Sequence, residues 1–151
     1  MRKLFSVVLL LVFLTLPTLA QLAVFPTPAR VVGQKGSFAI GMNPKISGNG
    51  GYADVLAKKL QSELKATGKQ SSAAGGEIRL VLDESLRMAD ESYSLNISPE
   101  AVLLEASSES GLFYAKEALL QLVRFGDGTL KACKIEDQPR YGWRGFMPVS
   151  Y

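Results

Sequence analysis

Ala106-Ser107-Ser108-Glu109-Ser110-Gly111-Leu112-Phe113-Tyr114-Ala115-Lys116-Glu117-Ala118-Leu119-Leu120-Gln121-Leu122-Val123-Arg124-Phe125 is the longest periodic stretch beyond the apolar N-terminus, and its reading decides the fold. It reads as one helix. Ser107 or Ser108 can accept a hydrogen bond from an orphan first-turn N–H. Glu109 suits the positive end of the helix dipole, and Gly126 stands where a left-handed residue usually ends a helix. Leu112, Phe113, Ala115, Ala118, Leu119, Leu120, Leu122 and Val123 cover most of the circumference, leaving a narrow stripe of Ser110, Tyr114, Glu117, Gln121 and Arg124. A helix on a sheet needs only one apolar face, so the surplus implies a second packing partner: another helix of the same domain, or a surface outside this chain.

Immediately upstream, Tyr93 to Ser98 alternates polar and apolar residues, and Ala101 to Ala106 follows across Pro99-Glu100. This predicts a β-hairpin whose second strand runs straight into the helix. Downstream, Asp127-Gly128 makes a turn. Thr129 to Ile135 then reads as a final strand, with Leu130, Ala132 and Lys134 facing opposite to Lys131, Cys133 and Ile135.

Farther upstream, Glu77 to Leu82 alternates as another strand, flanked by a polar connection over Lys69 to Gly76 and an irregular polar segment over Asp83 to Glu91. Tyr52 to Thr67 carries Ala53, Leu56, Ala57, Leu60 and Leu64 at helical spacing, and Gly68 ends it. Arg30-Val31-Val32 and Ser37 to Ile40 read as a hairpin turning at Gly33-Gln34-Lys35-Gly36, after an extended Phe25-Pro26-Thr27-Pro28. Asn43-Pro44 and Ser47-Gly48-Asn49-Gly50-Gly51 read as loops. Hairpin strands with two helices imply an α+β fold: an antiparallel or mixed sheet with both helices packed on one face.

The chain begins with Met1-Arg2-Lys3, an apolar run from Leu4 to Leu16, and Leu19-Ala20, the order of a secretory signal peptide cut after Ala20. Ser6, Thr15 and Pro17 interrupt the run, which falls short of the roughly 20 residues of a spanning helix. A secreted or periplasmic product without a membrane partner after cleavage is expected. The 17 Lys and Arg residues against 14 Asp and Glu include Arg2 and Lys3 of the leader. The remainder is close to neutral and predicts no nucleic-acid partner.

There is one cysteine and no histidine. No intrachain disulfide can form, Ser-His-Asp and Cys-His arrangements are excluded, and so is His-ligated zinc. No metal or other cofactor is expected. Asp83-Glu84, Asp90-Glu91 and Glu136-Asp137 are adjacent acidic pairs of the kind glycoside hydrolysis uses, yet without an apolar cleft to raise a pKa they read as solvated loop charges. Cys133, in a strand, reads as a small buried residue. Asn96-Ile97-Ser98 matches a glycosylation acceptor but sits inside a strand, and Gly48-Asn49-Gly50-Gly51 lacks the Lys-Ser/Thr of a phosphate loop. The run from Glu136 to Met147 concentrates Tyr141, Trp143, Arg140, Arg144 and two glycines. That composition suits either a sugar-stacking or interface surface, or a tail that covers the core.

Taken in order, Phe25-Pro26-Thr27-Pro28, the hairpin from Tyr93 to Ala106, Ser110-Gly111-Leu112-Phe113-Tyr114-Ala115 with Leu119-Leu120-Gln121-Leu122, and Ile135-Glu136-Asp137-Gln138-Pro139-Arg140-Tyr141-Gly142-Trp143-Arg144-Gly145 resemble the N-terminal region of glycoside hydrolase family 20 β-N-acetylhexosaminidases. The resemblance implies a leader over residues 1–20, an α+β accessory domain over 21–137, and over 138–151 the start of a (β/α)8 catalytic barrel, the partner against which the two helices would pack. It implies no catalytic residue in this chain. The family's retaining hydrolysis of N-acetyl-hexosamine glycans uses the substrate's own acetamido group with an Asp-Glu pair deep in the barrel. Arg144 matches the arginine of the family's Trp-Arg-Gly motif, which binds hydroxyls of the terminal N-acetylhexosamine. The family continues after Arg-Gly-x-Met with Leu-Asp and a Ser-Arg-His segment, where this chain has Pro148-Val149-Ser150-Tyr151. A truncated accessory part, inactive alone, is therefore expected. The alternative is a stand-alone carbohydrate-binding or interaction module.

Overall fold

The computed structural model describes residues 24–72 and 75–141. Six strands, β1 (Arg30–Ala39), β2 (Lys45–Gly48), β3 (Glu77–Leu82), β4 (Tyr93–Ile97), β5 (Ala101–Ala106) and β6 (Thr129–Asp137), alternate with two helices, α1 (Gly51–Thr67) and α2 (Glu109–Phe125). The strands form one mixed sheet in the order β1-β6-β4-β5-β3-β2. Pairs β2–β3 and β3–β5 are parallel, while β5–β4, β4–β6 and β6–β1 are antiparallel. Both helices lie on one face, α1 over β2 and β3, α2 over β5 and β4, and they touch each other. This is the α+β arrangement expected from the sequence.

Helix α2 starts as its sequence dictates. Ser108 is the N-cap, its Oγ accepting the Gly111 N–H at 3.1 Å, while Ser107 Oγ donates to the Met88 carbonyl instead. Glu109 and Arg124 complement the dipole at the two ends. Its C-terminus departs from expectation. Gly126 is extended, with φ −95°, and its N–H bonds the Val123 carbonyl at 3.2 Å; the positive φ of the connection falls on Gly128. Helix α1 does end in a left-handed glycine, Gly68.

Most of the apolar surface of α2 is absorbed inside the chain, while Phe113 is only partly buried and Phe125 is exposed. Leu112, Ala115, Ala118, Leu119, Leu120, Leu122 and Val123 are all buried, joining Leu56, Leu60 and Leu64 of α1 and Phe38, Ile78, Leu80, Leu95, Ile97, Val102, Leu104 and Ile135 of the sheet in one core. At roughly 1.5–3 kcal/mol per large aliphatic side chain, this is the main stabilising term. Gly111 sets how closely α2 seats: a Cβ there would stand 2.2 Å from the Ser92 carbonyl oxygen. Lys116 is fully buried, unlike any other charged residue among those described. Its Nζ bonds Glu63 of α1 at 2.7 Å and Glu117, and lies 5.1 Å from the Phe113 ring centroid.

Three sequence expectations are corrected. Residues 30–40 do not fold back as a hairpin. Arg30 to Gly33 and Ser37 to Ala39 both pair with β6, so Gln34-Lys35-Gly36 is a bulge within one strand, and Gly36, φ 98°, carries it. The same irregularity breaks the alternation in β6, where Ala132 and Cys133 are both buried. Finally, Lys45 to Gly48 is a strand rather than part of a loop, pairing in parallel with Glu77 to Leu80.

The connection after β2 explains its glycines. A Cβ on Gly48 would lie 2.4 Å from the α1 backbone at Ala53, and Gly50 and Gly51 hold positive φ values of 110° and 51°. Asn49 brackets the end of β3, its Nδ2 donating to the Leu82 carbonyl at 2.9 Å and its Oδ1 accepting the Leu82 N–H at 3.0 Å. The loop is a backbone joint, as its lack of phosphate-loop residues implied.

Candidate functional site

The sequence placed its most distinctive composition at the end of the last strand. The structure shows what the first part of that run does. The final pair of the β1–β6 ladder joins Arg30 to Glu136, and the final pair of β4–β6 joins Tyr93 to Asp137. Each acidic residue holds its cross-strand neighbour. Glu136 Oε2 meets Arg30 Nη1 at 3.1 Å and its Oε1 meets Lys134 Nζ at 2.6 Å. Lys134 foremost, with Arg30, holds the Glu136 carboxyl below the usual range.

Asp137 accepts the Ala29 N–H at Oδ1 at 2.9 Å, and its negative charge stands beside the phenol of Tyr93, its cross-strand neighbour. Tyr93 is buried, and that burial, followed by the negative charge of Asp137, pushes its phenol well above the ordinary tyrosine range. The N-terminal segment is pinned again where the Phe25 N–H donates to Gln121 Oε1 of α2 at 2.8 Å and where Val24 enters the core. The incoming segment at residues 24–30 and the outgoing segment at 138–141 thus meet beside one flank of α2. Between them lies a cleft of about 310 Å³ walled by Phe25, Tyr93, Tyr114, Gln121, Asp137 and Tyr141, among others.

The remaining acidic pairs are structural. Asp83 caps the short 3-10 turn Glu84–Leu86, and the hydroxyl and N–H of Ser85 hold its carboxyl below the usual range. Asp90 accepts from Ser110 Oγ at 3.2 Å and from the Glu91 N–H. A general acid needs the opposite of the shift at Asp83. Cys133 is buried, which raises its thiol and disfavours the nucleophilic thiolate. Asn96 accepts from Gln34 Nε2 within the sheet, so its place in a glycosylation pattern is incidental to a cross-strand contact. Among the described residues no cluster of His, Cys, Asp and Glu could hold a metal ion, and no helix is long and apolar enough to cross a membrane.

Arg144 and Trp143, the substrate-binding candidate and its neighbour, lie outside the described residues, as do residues 1–20, where a leader is expected from the sequence. Sequence reasoning missed two polar features. Lys116 stands on the line Leu112, Lys116, Leu119, Val123 at apolar helical spacing, which was a legible signal of burial. The partners of Asp137 carried no local signal.

Residues 21–138 match the family described as glycosyl hydrolase family 20, domain 2. A β-N-acetylhexosaminidase of Cellulomonas fimi is 37% identical over 105 residues, covering 68% of this chain and 21% of that protein. A β-hexosaminidase of Vibrio furnissii is 32% identical over 130 residues, covering 85% and 21%. The solved structure of the family 20 β-N-acetylhexosaminidase from Streptomyces coelicolor A3(2) superposes with a TM-score of 0.68 at 31% identity, over 82% of this chain and 28% of that one. The chain spans about a fifth of the length of the curated relatives it matches.

Proposed function

Because the chain belongs to glycosyl hydrolase family 20, whose domain 2 its residues 21–138 match, we propose that it supplies the accessory, non-catalytic domain of a β-N-acetylhexosaminidase acting on terminal N-acetyl-hexosamine residues. The observation that supports this reading is the extent of the match: residues 21–138 correspond to domain 2 of the family, and the chain covers only 21% of each of the two relatives named above. Three of the described carboxylates, Asp83, Glu77 and Glu136, are each held ionised by their partners, which suits structural contacts. In this reading the leader is removed after Ala20, the product is secreted or periplasmic, and Arg144 offers its planar fork to vicinal sugar hydroxyls next to a (β/α)8 barrel.

The purified 151-residue chain is expected to leave an aryl N-acetyl-glucosaminide intact. Turnover that persists through successive purification steps at constant specific activity overturns the proposal. Calorimetry with N-acetylglucosamine oligomers separates it from the stand-alone binding module: no heat is expected, whereas heat that disappears in Arg144→Ala supports the module.

A further inference from the structure

We infer that Asp137 is a positioning residue that clasps the two ends of the domain together, fixing the direction in which the chain leaves β6 by tying that point to the incoming segment. The geometry is specific. Residues 24–29 belong to no strand and are held at separated points: Val24 in the core, the Phe25 N–H on Gln121, and the Ala29 N–H on Asp137. Arg30 then begins β1 opposite Glu136. On the other side Asp137 is the last residue of β6, and Gln138 to Tyr141 continue along the same cleft that Phe25 and Pro26 line.

A carboxylate suits this position because it is acceptor-only with two oxygens, and can take a backbone N–H and a phenol O–H at once. Its amide donor comes from Ala29, 108 positions earlier in the chain, and its ladder partner is Tyr93, so this one residue stands where three segments with no covalent neighbourhood meet. Tyr93 is buried and anchored in the central strand β4, which makes it the fixed post of the clasp. The ends are thereby coupled: loosening Asp137 frees the incoming segment as well as the outgoing one. That the fixed direction serves a following catalytic domain rests on the function proposed above; the clasp does not, and it is testable on this chain alone.

The test is amide hydrogen exchange on the 151-residue chain and on Asp137→Asn, Asp137→Ala and Tyr93→Phe. Losing one net hydrogen bond is expected to speed exchange of the Ala29 amide roughly three- to tenfold. The Phe25 amide, bonded to Gln121 rather than Asp137, is expected to accelerate with it, while the α1 amides stay unchanged. In Asp137→Asn the Tyr93 phenol is expected to titrate lower than in the parent chain and lower than in Ser108→Ala, a control that loosens the fold without touching the carboxylate, read by tyrosinate absorbance. Unchanged exchange at Ala29 and Phe25 in folded Asp137→Ala overturns the proposal. So does a uniform acceleration of every amide with Tyr93 unmoved. Absent hydrolysis, or its presence, leaves this outcome untouched.

Discussion

Helix α2 carries a polar seam on each flank, and the two are built on opposite principles. Toward α1, Lys116 is a cation with no exposed surface whose partners, Glu63 and Glu117, remain partly exposed. Toward the chain ends, Asp137 accepts from a backbone amide beside the buried Tyr93, and Gln121 accepts from Phe25. The first seam removes a charge from water and recovers much of the cost from charges that could reach water by themselves. The second satisfies groups whose positions the fold has already fixed. Burial alone therefore does not rank the two. The lysine's stem fills space that an apolar side chain could fill, whereas no apolar residue replaces an acceptor at position 137.

The largest expected effect comes from Gly111→Val, which disturbs both seams together. Its side chain would collide with the Ser92 backbone carbonyl and push α2 off the sheet, costing about 3 kcal/mol or more in denaturant unfolding. Lys116→Ala is next. It removes the stem and leaves a void between the helices, for about 2–4 kcal/mol. Lys116→Met sharpens the contrast, because an apolar side chain of similar length should stay within about 1 kcal/mol of the parent, or exceed it. If the methionine variant is as unstable as the alanine variant, the charge itself holds the helices and the comparison fails.

Asp137→Asn should cost about 1 kcal/mol, since its Oδ1 can still accept the Ala29 N–H while the negative charge that strengthened that bond is lost. Its pH dependence is more telling. Tyr93 keeps its proton in the folded chain above the ordinary value of about 10. Its contribution is therefore complete below that pH and is lost as pH rises through the folded value, so alkaline melting temperatures fall. In Asp137→Asn the Tyr93 phenol is raised less, so the fall sets in at the same pH but ends sooner and is smaller in total. Ser108→Ala removes the helix cap and should cost about 1 kcal/mol, read in thermal melts.

The smallest effect lies in acid. Glu77, held down by Arg79 and Lys45, and Glu136, held down by Lys134 and Arg30, stabilise the fold above the ordinary carboxylate pKa. That contribution disappears as pH falls through their lowered values. The pairs are exposed, so the dependence should be shallow and suppressed by salt.

What the sequence disclosed follows the same division. Helices α1 and α2, the β4–β5 hairpin and β3 were legible because each declares itself within a window of a few turns or alternations. Strand β2 has four residues and no alternation to show; it exists because β3, some 30 residues away, offers a parallel edge and Gly48 lets α1 sit close. The bulge in β1 looked like a turn because glycines signal both, and only the length of β6 distinguishes them. Asp137 was visible as part of a motif, but its partners are distant in sequence. Lys116 could have been read from its place on an apolar line.

One small joint bears on how the protein ages. Asn49-Gly50 is the dipeptide in which the next backbone nitrogen most readily attacks a side-chain carboxamide, releasing ammonia through a cyclic imide. In the folded chain both ends of that carboxamide are engaged by Leu82. Ring closure must first break two hydrogen bonds, so deamidation is slow while β3 is formed and fast once it opens. Each event would replace the Nδ2 donor with a carboxylate oxygen facing the Leu82 carbonyl, prising open the end of β3 that had protected it. Stored material should accumulate this damage at the rate at which that corner of the sheet unfolds, making position 49 a chemical clock for local opening.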